Sequence, residues 1–219
     1  MNGFLLDCKK RLKAINWIEF TISIVIVLLL IGIDLFSKQY VYAKYINTYN
    51  EDPYFSVSII PHVINFSLAF NKGAAWSVGY GMVGLFSMIS LVAGIILILF
   101  FMYYFSTTYR YVKVCFVLAI AGDLGNMVDR FGCWIQKGIY KDGVVDFITF
   151  DFWKTFPTFN IADSYLVIAI AIAIVGSIVL LIKSKVVSKK ATIETESSEN
   201  QEDFKNKLSM KEKEEENNK

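Results

Sequence analysis

The sequence predicts an all-α membrane protein with four transmembrane helices. Of its 219 residues, 55% are hydrophobic and only 19% are charged, whereas a soluble domain carries about 25% charged residues. Mean hydropathy is +0.46. The charges are also unevenly placed, because residues 191–219 contain nine acidic residues and five lysines. The remainder is therefore more apolar than the average suggests, which excludes an ordinary cytosolic enzyme.

A membrane span needs about 20 mostly apolar residues, and four segments approach this length. They are 20–33, 82–105, 111–128 and 164–182. The second segment is the clearest, with 24 residues and no charge. The third is less regular because it contains Lys113 and Asp123. It is counted as a span because an even number of spans places the basic residues near the span ends on the same side of the membrane.

Basic residues near the span ends predict that both termini are cytoplasmic. They lie before the first span, between the second and third, and after the fourth, and these three places share one side of a four-span chain. The loops 38–81 and 130–160 then face outward. No small-x-small cleavage site follows the first span, so it is interpreted as retained. The predicted organisation is a cytoplasmic N-terminus (1–16), a membrane domain (17–183) and a charged, disordered cytoplasmic tail (184–219).

The first outer loop is predicted to contain short strands. Residues 54–70 combine partial alternation with β-branched and aromatic side chains. His62 follows Pro61 at a predicted turn and is interpreted as structural.

Three cysteines and one histidine provide few ligands for a zinc or iron site, so neither a metal nor a cofactor is expected. The net charge of +2 argues against nucleic acid as a partner.

Polar residues gather near the outer ends of the spans. Ionisable residues at membrane depth cost about 2.5–3.5 kcal/mol each on insertion scales and usually face a functional cavity. Five groups of this kind converge on one face of the membrane, and this convergence predicts a site there. The groups are Asp34, 71–77, 122–130, 143–147 and 159–164.

The spacing of these residues indicates acid–base chemistry. Asn126 and Asp129 share a helix face, and Asn160 and Asp163 repeat the same offset where the last helix begins. Asp146 is flanked in sequence by apolar residues on both sides, 144–145 and 147–148. Burial and a second carboxylate raise the pKa of one carboxyl, so that the pair can share a proton. One carboxylate then takes a proton from water while the other hydrogen-bonds the substrate carbonyl, which hydrolyses a peptide without metal, cysteine or serine.

Structural interpretations compete at several of these positions. Asp129 and Arg130 could form only a surface ion pair, and Asp34 is favoured as a tie between helices. The residues alone do not decide whether Asp129 or Asp146 is the partner of Asp163. Three glycines are interpreted as close-packing positions, namely Gly73, Gly122 and Gly125. Three carboxylates are interpreted as loop or helix-end charges, namely Asp123, Asp142 and Asp151.

Five motifs resemble the signature blocks of the lipoprotein signal peptidase (signal peptidase II, peptidase A8) family, and the resemblance covers 17–183. They are Asp34-x-x-x-Lys38, Asn71-x-Gly-Ala-Ala-x-Ser, Gly125-Asn-x-x-Asp-Arg130, Val144-Val-Asp-Phe147 and Phe159-Asn-x-Ala-Asp-Ser164. The resemblance implies an aspartyl endopeptidase of the bacterial inner membrane. It also implies a small extracytoplasmic β-cradle, a short amphipathic outer segment and a site near the outer face.

The implied substrates are prolipoproteins carrying a diacylglyceryl group, cut on the N-terminal side of the lipidated cysteine. Membrane lipids are the other implied partners, and the protein is expected to act as a monomer. Mapped residue by residue, the catalytic pair is Asp146 and Asp163. The residues that line or support the site map to Asp34, Asn71, Gly73, Asn126, Asp129, Arg130 and Asn160.

The sequence departs from the family pattern in four places. Trp76 replaces a usual phenylalanine, and Asp123 occupies a position that is normally small and apolar. The stretch 130–143 is longer than typical and could alter substrate access. The charged tail also exceeds the usual short end.

Three other functions remain as alternatives. A proton or cation transporter would distribute carboxylates through the bilayer depth, but the span middles are free of charge. A non-catalytic assembly protein would explain the aromatic outer loop, but it would not explain the sequence motifs around Asp146 and Asp163. A serine/lysine peptidase would need a lysine at helical spacing from Ser77 or Ser164, and neither has one.

Overall fold

The computed structural model describes residues 2–49, 52, 55–73, 79, 81–136 and 138–188. Within these ranges the helices are Asn2–Lys13 (α1), Trp17–Tyr49 (α2), Val83–Tyr104 (α3), Arg110–Trp134 (α4) and Ile161–Ser188 (α5). The strands Ser56–Ile60 (β1), Ile64–Asn71 (β2) and Val144–Phe150 (β3) form an antiparallel sheet in the order β1-β2-β3. Helices α2 to α5 are long and apolar enough to cross a membrane, which confirms the predicted fold class.

The chain divides into two compact units, 1–173 and 174–219. The first unit contains α1 to α4, the sheet and the first part of α5. In the second unit, 174–188 is helical and exposes apolar side chains such as Ile174, Val175 and Leu181. Most of the predicted tail lies outside the described residues, which end at Ser188.

Helix α2 is longer than predicted. Asn16 caps its start, since Asn16 Oδ1 accepts the backbone N–H groups of Ile18 and Glu19 at 3.2 and 3.3 Å. The helix continues to Tyr49, past residue 38, near which the outer loop is predicted to begin. Lys38 lies within this helix and is buried, with its charge compensated by Asp34 and Asp129.

Helix α4 also extends beyond the predicted span 111–128, and the second outer loop begins after Trp134 rather than at residue 130. Within the long stretch 130–143, the first residues complete this helix, which ends at Trp134, and Gly138–Asp142 forms a short 3₁₀-helix. Gly132 allows the two to pack, since a Cβ added there would lie 2.8 Å from Tyr140 Cβ.

The helices α2 and α4 run parallel. At one end Lys113 Nζ lies 2.9 Å from Glu19 Oε2, and α1 is held at the same end through Arg11, which lies 3.2 Å from Thr107 Oγ1 beyond the end of α3. At the other end Lys38 reaches Asp129. The basic N-terminal segment and the buried polar residues thus occupy opposite ends of these helices.

Strands β1 and β2 confirm the strands predicted within 54–70, with His62 in the turn between them at φ +64°. The third strand was not predicted. It places Asp146 opposite Ala69 of β2. Gly143 precedes β3 at φ +137°, and a Cβ there would lie 2.7 Å from the Asn71 carbonyl oxygen, so only glycine fits this close approach.

Candidate active site

A buried ion triad joins α2 to α4. Lys38 Nζ lies 2.7 Å from Asp34 Oδ2 and 2.8 Å from Asp129 Oδ2, and all three side chains have no exposed surface. Asp34 and Lys38 meet because they are one helical turn apart. The two carboxylates compensate the buried ammonium, which also donates to Asn126 Oδ1 at 3.3 Å. The triad therefore fixes the register of the two helices.

Asp34 also connects this triad to α5. Its Oδ1 accepts the backbone N–H of Ala162 at 2.9 Å. Gly125 makes the approach possible, because a Cβ there would lie 2.8 Å from Asp34 Oδ2 and 3.2 Å from Ala162 Cβ. Gly122, one turn away on α4, allows a similar close approach, because a Cβ added there would lie 2.6 Å from the Ala162 carbonyl oxygen.

Helix α5 begins with a reciprocal cap. The backbone N–H of Asp163 donates to Asn160 Oδ1 at 2.9 Å, and the backbone N–H of Asn160 donates to Asp163 Oδ2 at 3.3 Å. This is the capping-box pattern, in which two otherwise unpaired N–H groups are satisfied by the side chains of N-cap and N3. The cap fixes the position of the Asp163 carboxylate at the helix start.

Asp146 is held beside this cap by two asparagines. Asp146 is only 3% exposed, and its Oδ1 accepts the Asn160 side-chain N–H at 2.7 Å. The side chain of Asn71 also hydrogen-bonds this carboxyl group, and Asn71 Oδ1 accepts the backbone N–H of Gly73 at 2.9 Å. Burial, followed by the negative charge of Asp163, raises the pKa of Asp146 to about 8.

Asn126 links all of these groups. Its side-chain N–H donates to Asp163 Oδ1 at 2.7 Å, and its Oδ1 accepts from Asn160 Nδ2 at 3.0 Å. Asp146 and Asp163 are therefore joined through Asn126 and Asn160, and the same network reaches Lys38.

A cavity of about 710 Å³ opens onto both aspartates. Its polar wall carries Asn71, Asp123, Asn126 and Arg130 in addition to the pair. Its apolar wall carries aromatic and aliphatic side chains, which are Phe70, Phe150, Phe156, Phe159, Leu166, Val167 and Ile168. A polar pair of carboxylates at one side of an apolar cavity suits a long apolar ligand with one reactive polar bond.

Comparison with known proteins identifies the family. Residues 26–179 match the model of the family described as Peptidase_A8, signal peptidase (SPase) II. This match covers more than half of the chain. The chain belongs to the signal peptidase II family. It is therefore a peptidase, and its four apolar helices make it a multi-pass membrane protein.

Individual relatives agree with this membership. The chain is 34% identical to a lipoprotein signal peptidase of Staphylococcus haemolyticus over 158 residues, which cover 71% of this chain and 90% of the relative. It is 37% identical to a lipoprotein signal peptidase of Staphylococcus aureus (strain JH9) over 123 residues, 55% of this chain and 69% of the relative.

Two solved structures, both described as bacterial membrane enzymes studied by the in meso method, share the fold. The first has a TM-score of 0.57 and 30% identity and covers 72% of this chain and 88% of its own. The second has a TM-score of 0.54 and 31% identity, with coverage of 71% and 92%.

The ion pair considered between Asp129 and Arg130 does not form. Asp129 binds Lys38 instead and accepts the backbone N–H of Val145 at 3.4 Å. Arg130 donates to Ser90 Oγ at 3.1 Å. Adjacent residues on a helix point about 100° apart, and Asp129 faces α2 while Arg130 faces α3.

The interpretation of Asp123 as a loop or helix-end charge is wrong, because this residue lies within α4 and lines the cavity. Of the other two carboxylates in that group, Asp142 ends the 3₁₀-helix and Asp151 follows β3, and neither lines the cavity. Asp142 is 3.8 Å from Lys72 Nζ, and Asp151 accepts from Asn65 Nδ2 at 3.3 Å. Trp76 and the rest of 74–78 lie outside the described residues.

Sequence reasoning did not include Lys38 or Ser90 among the site residues. The four-residue spacing from Asp34 to Lys38 was a usable signal, since oppositely charged residues at this spacing pair on a helix. Ser90 had no such signal, because its partner lies 40 positions away on another helix.

Proposed function

We propose that this chain is an aspartyl endopeptidase that removes signal peptides from prolipoproteins. The observation that carries the proposal is the link between Asp146 and Asp163 through Asn126 and Asn160 at the edge of one cavity. Aspartic peptidases need two carboxylates that share a proton, and the raised pKa of Asp146 supplies the protonated member at neutral pH.

The proposed step activates a water molecule between the pair. Asp163, whose two oxygens accept N–H groups from Asn126 and Asn160, takes a proton from this water. The hydroxide attacks the scissile carbonyl carbon, while the protonated Asp146 donates a hydrogen bond to the carbonyl oxygen. Proton transfer to the leaving amine then breaks the C–N bond and releases the signal peptide.

The proposed substrate is a prolipoprotein whose cysteine carries a diacylglyceryl group, cut on the N-terminal side of that cysteine. The apolar cavity wall, with Phe150, Phe156 and Leu166, offers surface for acyl chains and an apolar signal peptide. Asn71 and Arg130 provide polar groups for the substrate backbone. In this proposal Asp34, Asp129 and Gly73 support the site rather than contact the reacting atoms.

We further infer that both termini are cytoplasmic and that the site lies near the outer face of the bacterial inner membrane. The basic residues Arg11 and Lys113 lie at one end of the helices and the aspartate pair at the other. Basic residues remain on the cytoplasmic side, which leaves the pair near the outer face. We also propose that the protein acts as a monomer.

The direct test uses two substrates with the same sequence, one carrying the diacylglyceryl group and one with a free cysteine. Purified protein in detergent should cut the lipidated substrate, and mass spectrometry should find the lipidated cysteine at the new N-terminus. Equal cutting of both substrates would contradict lipid recognition. Cleavage at another bond would contradict the proposed cleavage site.

A further inference from the structure

We propose that Asp123 is a specificity-determining residue, which selects a serine or threonine in the signal peptide within the two residues before the cleaved bond. The inference rests on the proposed function and deepens it, since it concerns which substrates the cavity prefers. Asp123 occupies a position that is normally small and apolar in the family that the sequence resembles, so we do not expect the preference to be general in that family.

The carboxyl group of Asp123 is not compensated by a neighbouring cation. Asp123 lies near the middle of α4, and no ion pair joins it to another residue in the part of the chain that the structure describes. Its Oδ2 is buried and has no hydrogen-bond partner among these residues. Asp129 on the same helix is paired with Lys38 instead. An ionisable residue at membrane depth is costly and usually faces a functional cavity, so we looked for a ligand group that would satisfy Asp123.

Asp123 is accessible from the cavity that holds the aspartate pair. The residue is partly exposed, and it lines the same cavity as Asp146 and Asp163. The helix α3 leaves room for its carboxyl group at Gly94, where an added Cβ would lie 2.8 Å from Asp123 Oδ2. A peptide bound in the cavity therefore passes beside Asp123.

The position of Asp123 along α4 indicates which part of the substrate it meets. Asn126 donates to Asp163 at 2.7 Å and so marks the level of the cleaved bond. Asp123 lies three residues away, which is about 4.5 Å along the helix axis, toward the end of α4 that carries Lys113. In the proposed orientation this is the cytoplasmic direction, in which the signal peptide extends. An extended peptide advances about 3.3 Å per residue, so Asp123 lies beside the first or second residue before the cleaved bond.

The chemistry of Asp123 favours a hydroxyl group at this place. A carboxyl group accepts hydrogen bonds whether or not it is ionised, and the side chains of serine and threonine supply an O–H donor. An apolar side chain would leave the carboxyl group unsatisfied. A lysine or arginine would be costly to place at this depth in the bilayer. One such hydrogen bond corresponds to a preference of about fivefold in kcat/KM for serine over alanine.

A cycle that combines enzyme variants with substrate variants tests the inference. Pairs of diacylglyceryl-modified prolipoproteins differ only by serine or alanine, at the first or at the second residue before the lipidated cysteine. Each pair competes in one reaction, so that the product ratio gives the ratio of the two kcat/KM values. Wild type should prefer serine about fivefold at one of the two positions. Asp123→Ala, which introduces a small apolar residue, should cut both substrates of that pair equally. Asp123→Asn, which keeps an oxygen acceptor, should retain the preference for serine.

Asp151→Ala is the matched control, since Asp151 does not line the cavity and its loss should leave the ratio at the wild-type value. A general loss of folded enzyme affects both substrates alike and cancels in the ratio. Equal cutting by wild type at both positions, or an undiminished preference for serine in Asp123→Ala, would overturn the inference while the proposed function stands. If wild type cuts none of the lipidated substrates, the proposed function fails and the inference fails with it.

Discussion

The side-chain amide of Asn160 donates a hydrogen bond to Asp146 across 2.7 Å. The oxygen of the same amide caps α5 by accepting the backbone N–H of Asp163. One side chain therefore starts a membrane helix and holds both members of the proposed pair. Folding of the helix start and assembly of the site therefore depend on the oxygen and the nitrogen of one side-chain amide.

These two roles of Asn160 can be separated by substitution. Asn160→Ser keeps an oxygen for the helix cap but loses the amide donor to Asp146, whereas Asn160→Ala loses both. We expect cleavage to fall strongly in both variants, and the unfolding temperature in detergent to fall further in Asn160→Ala, since a lost cap costs about 1 kcal/mol. Equal stability of the two variants would contradict the capping role.

Removal of the buried cation should destabilise the protein. Lys38→Met leaves Asp34 and Asp129 buried without their partner, and breaking a buried ion pair in this way costs about 3–5 kcal/mol. Lys113→Met is the control, because the side chain of its partner Glu19 is 41% exposed and pairs with such exposure contribute little. Thermal unfolding in detergent should show a much larger decrease for Lys38→Met. Equal decreases would contradict the structural role of the triad.

The pH dependence of activity should report the proton on Asp146. Its pKa is raised to about 8, first by burial and then by the charge of Asp163. If Asp146 must be protonated, kcat/KM should fall by about tenfold per pH unit above this value. A profile measured from neutral to strongly alkaline pH checks this expectation, and a flat profile through that range would show that no proton on Asp146 is needed.

The same proton should make folding stability depend on pH. An unfolded chain releases it near the ordinary carboxyl pKa of about 3.9, whereas the folded protein retains it to about 8. The free energy of unfolding should therefore decrease as pH rises between these two values. Asp146→Asn, which cannot ionise, should lose this contribution, and Asp151→Asn should retain it. Identical pH dependence in all three proteins would contradict the raised pKa.

The membrane helices and the convergence of polar residues could be predicted because both depend on local composition. An apolar run such as 82–105 has few structural alternatives in a bilayer, and the outer loop 54–70 carries a strand pattern. The extent of α2 could not be predicted from local charge. Lys38 looks like the end of a span until its partner Asp129, far away in sequence, is known to neutralise it.

Two other features depend on distant contacts. The strand β3 is recognisable mainly by its pairing with β2, because an apolar run of this length also suits a buried loop or helix. The location of Asp123 within the cavity wall depends on Gly94 of α3, where an added Cβ would lie 2.8 Å from Asp123 Oδ2. Neither partner has a sequence spacing that points to it.

The central claim is that Asp146 and Asp163 together perform the cleavage. The most direct test compares wild type with Asp146→Asn and Asp163→Asn on a diacylglyceryl-modified prolipoprotein, with Asp151→Asn as a control outside the cavity. We expect wild type and the control to cut before the lipidated cysteine, and each of the other variants to lose at least about a hundredfold in rate while remaining folded in detergent. Substantial cleavage by either Asp146→Asn or Asp163→Asn would contradict the aspartate pair.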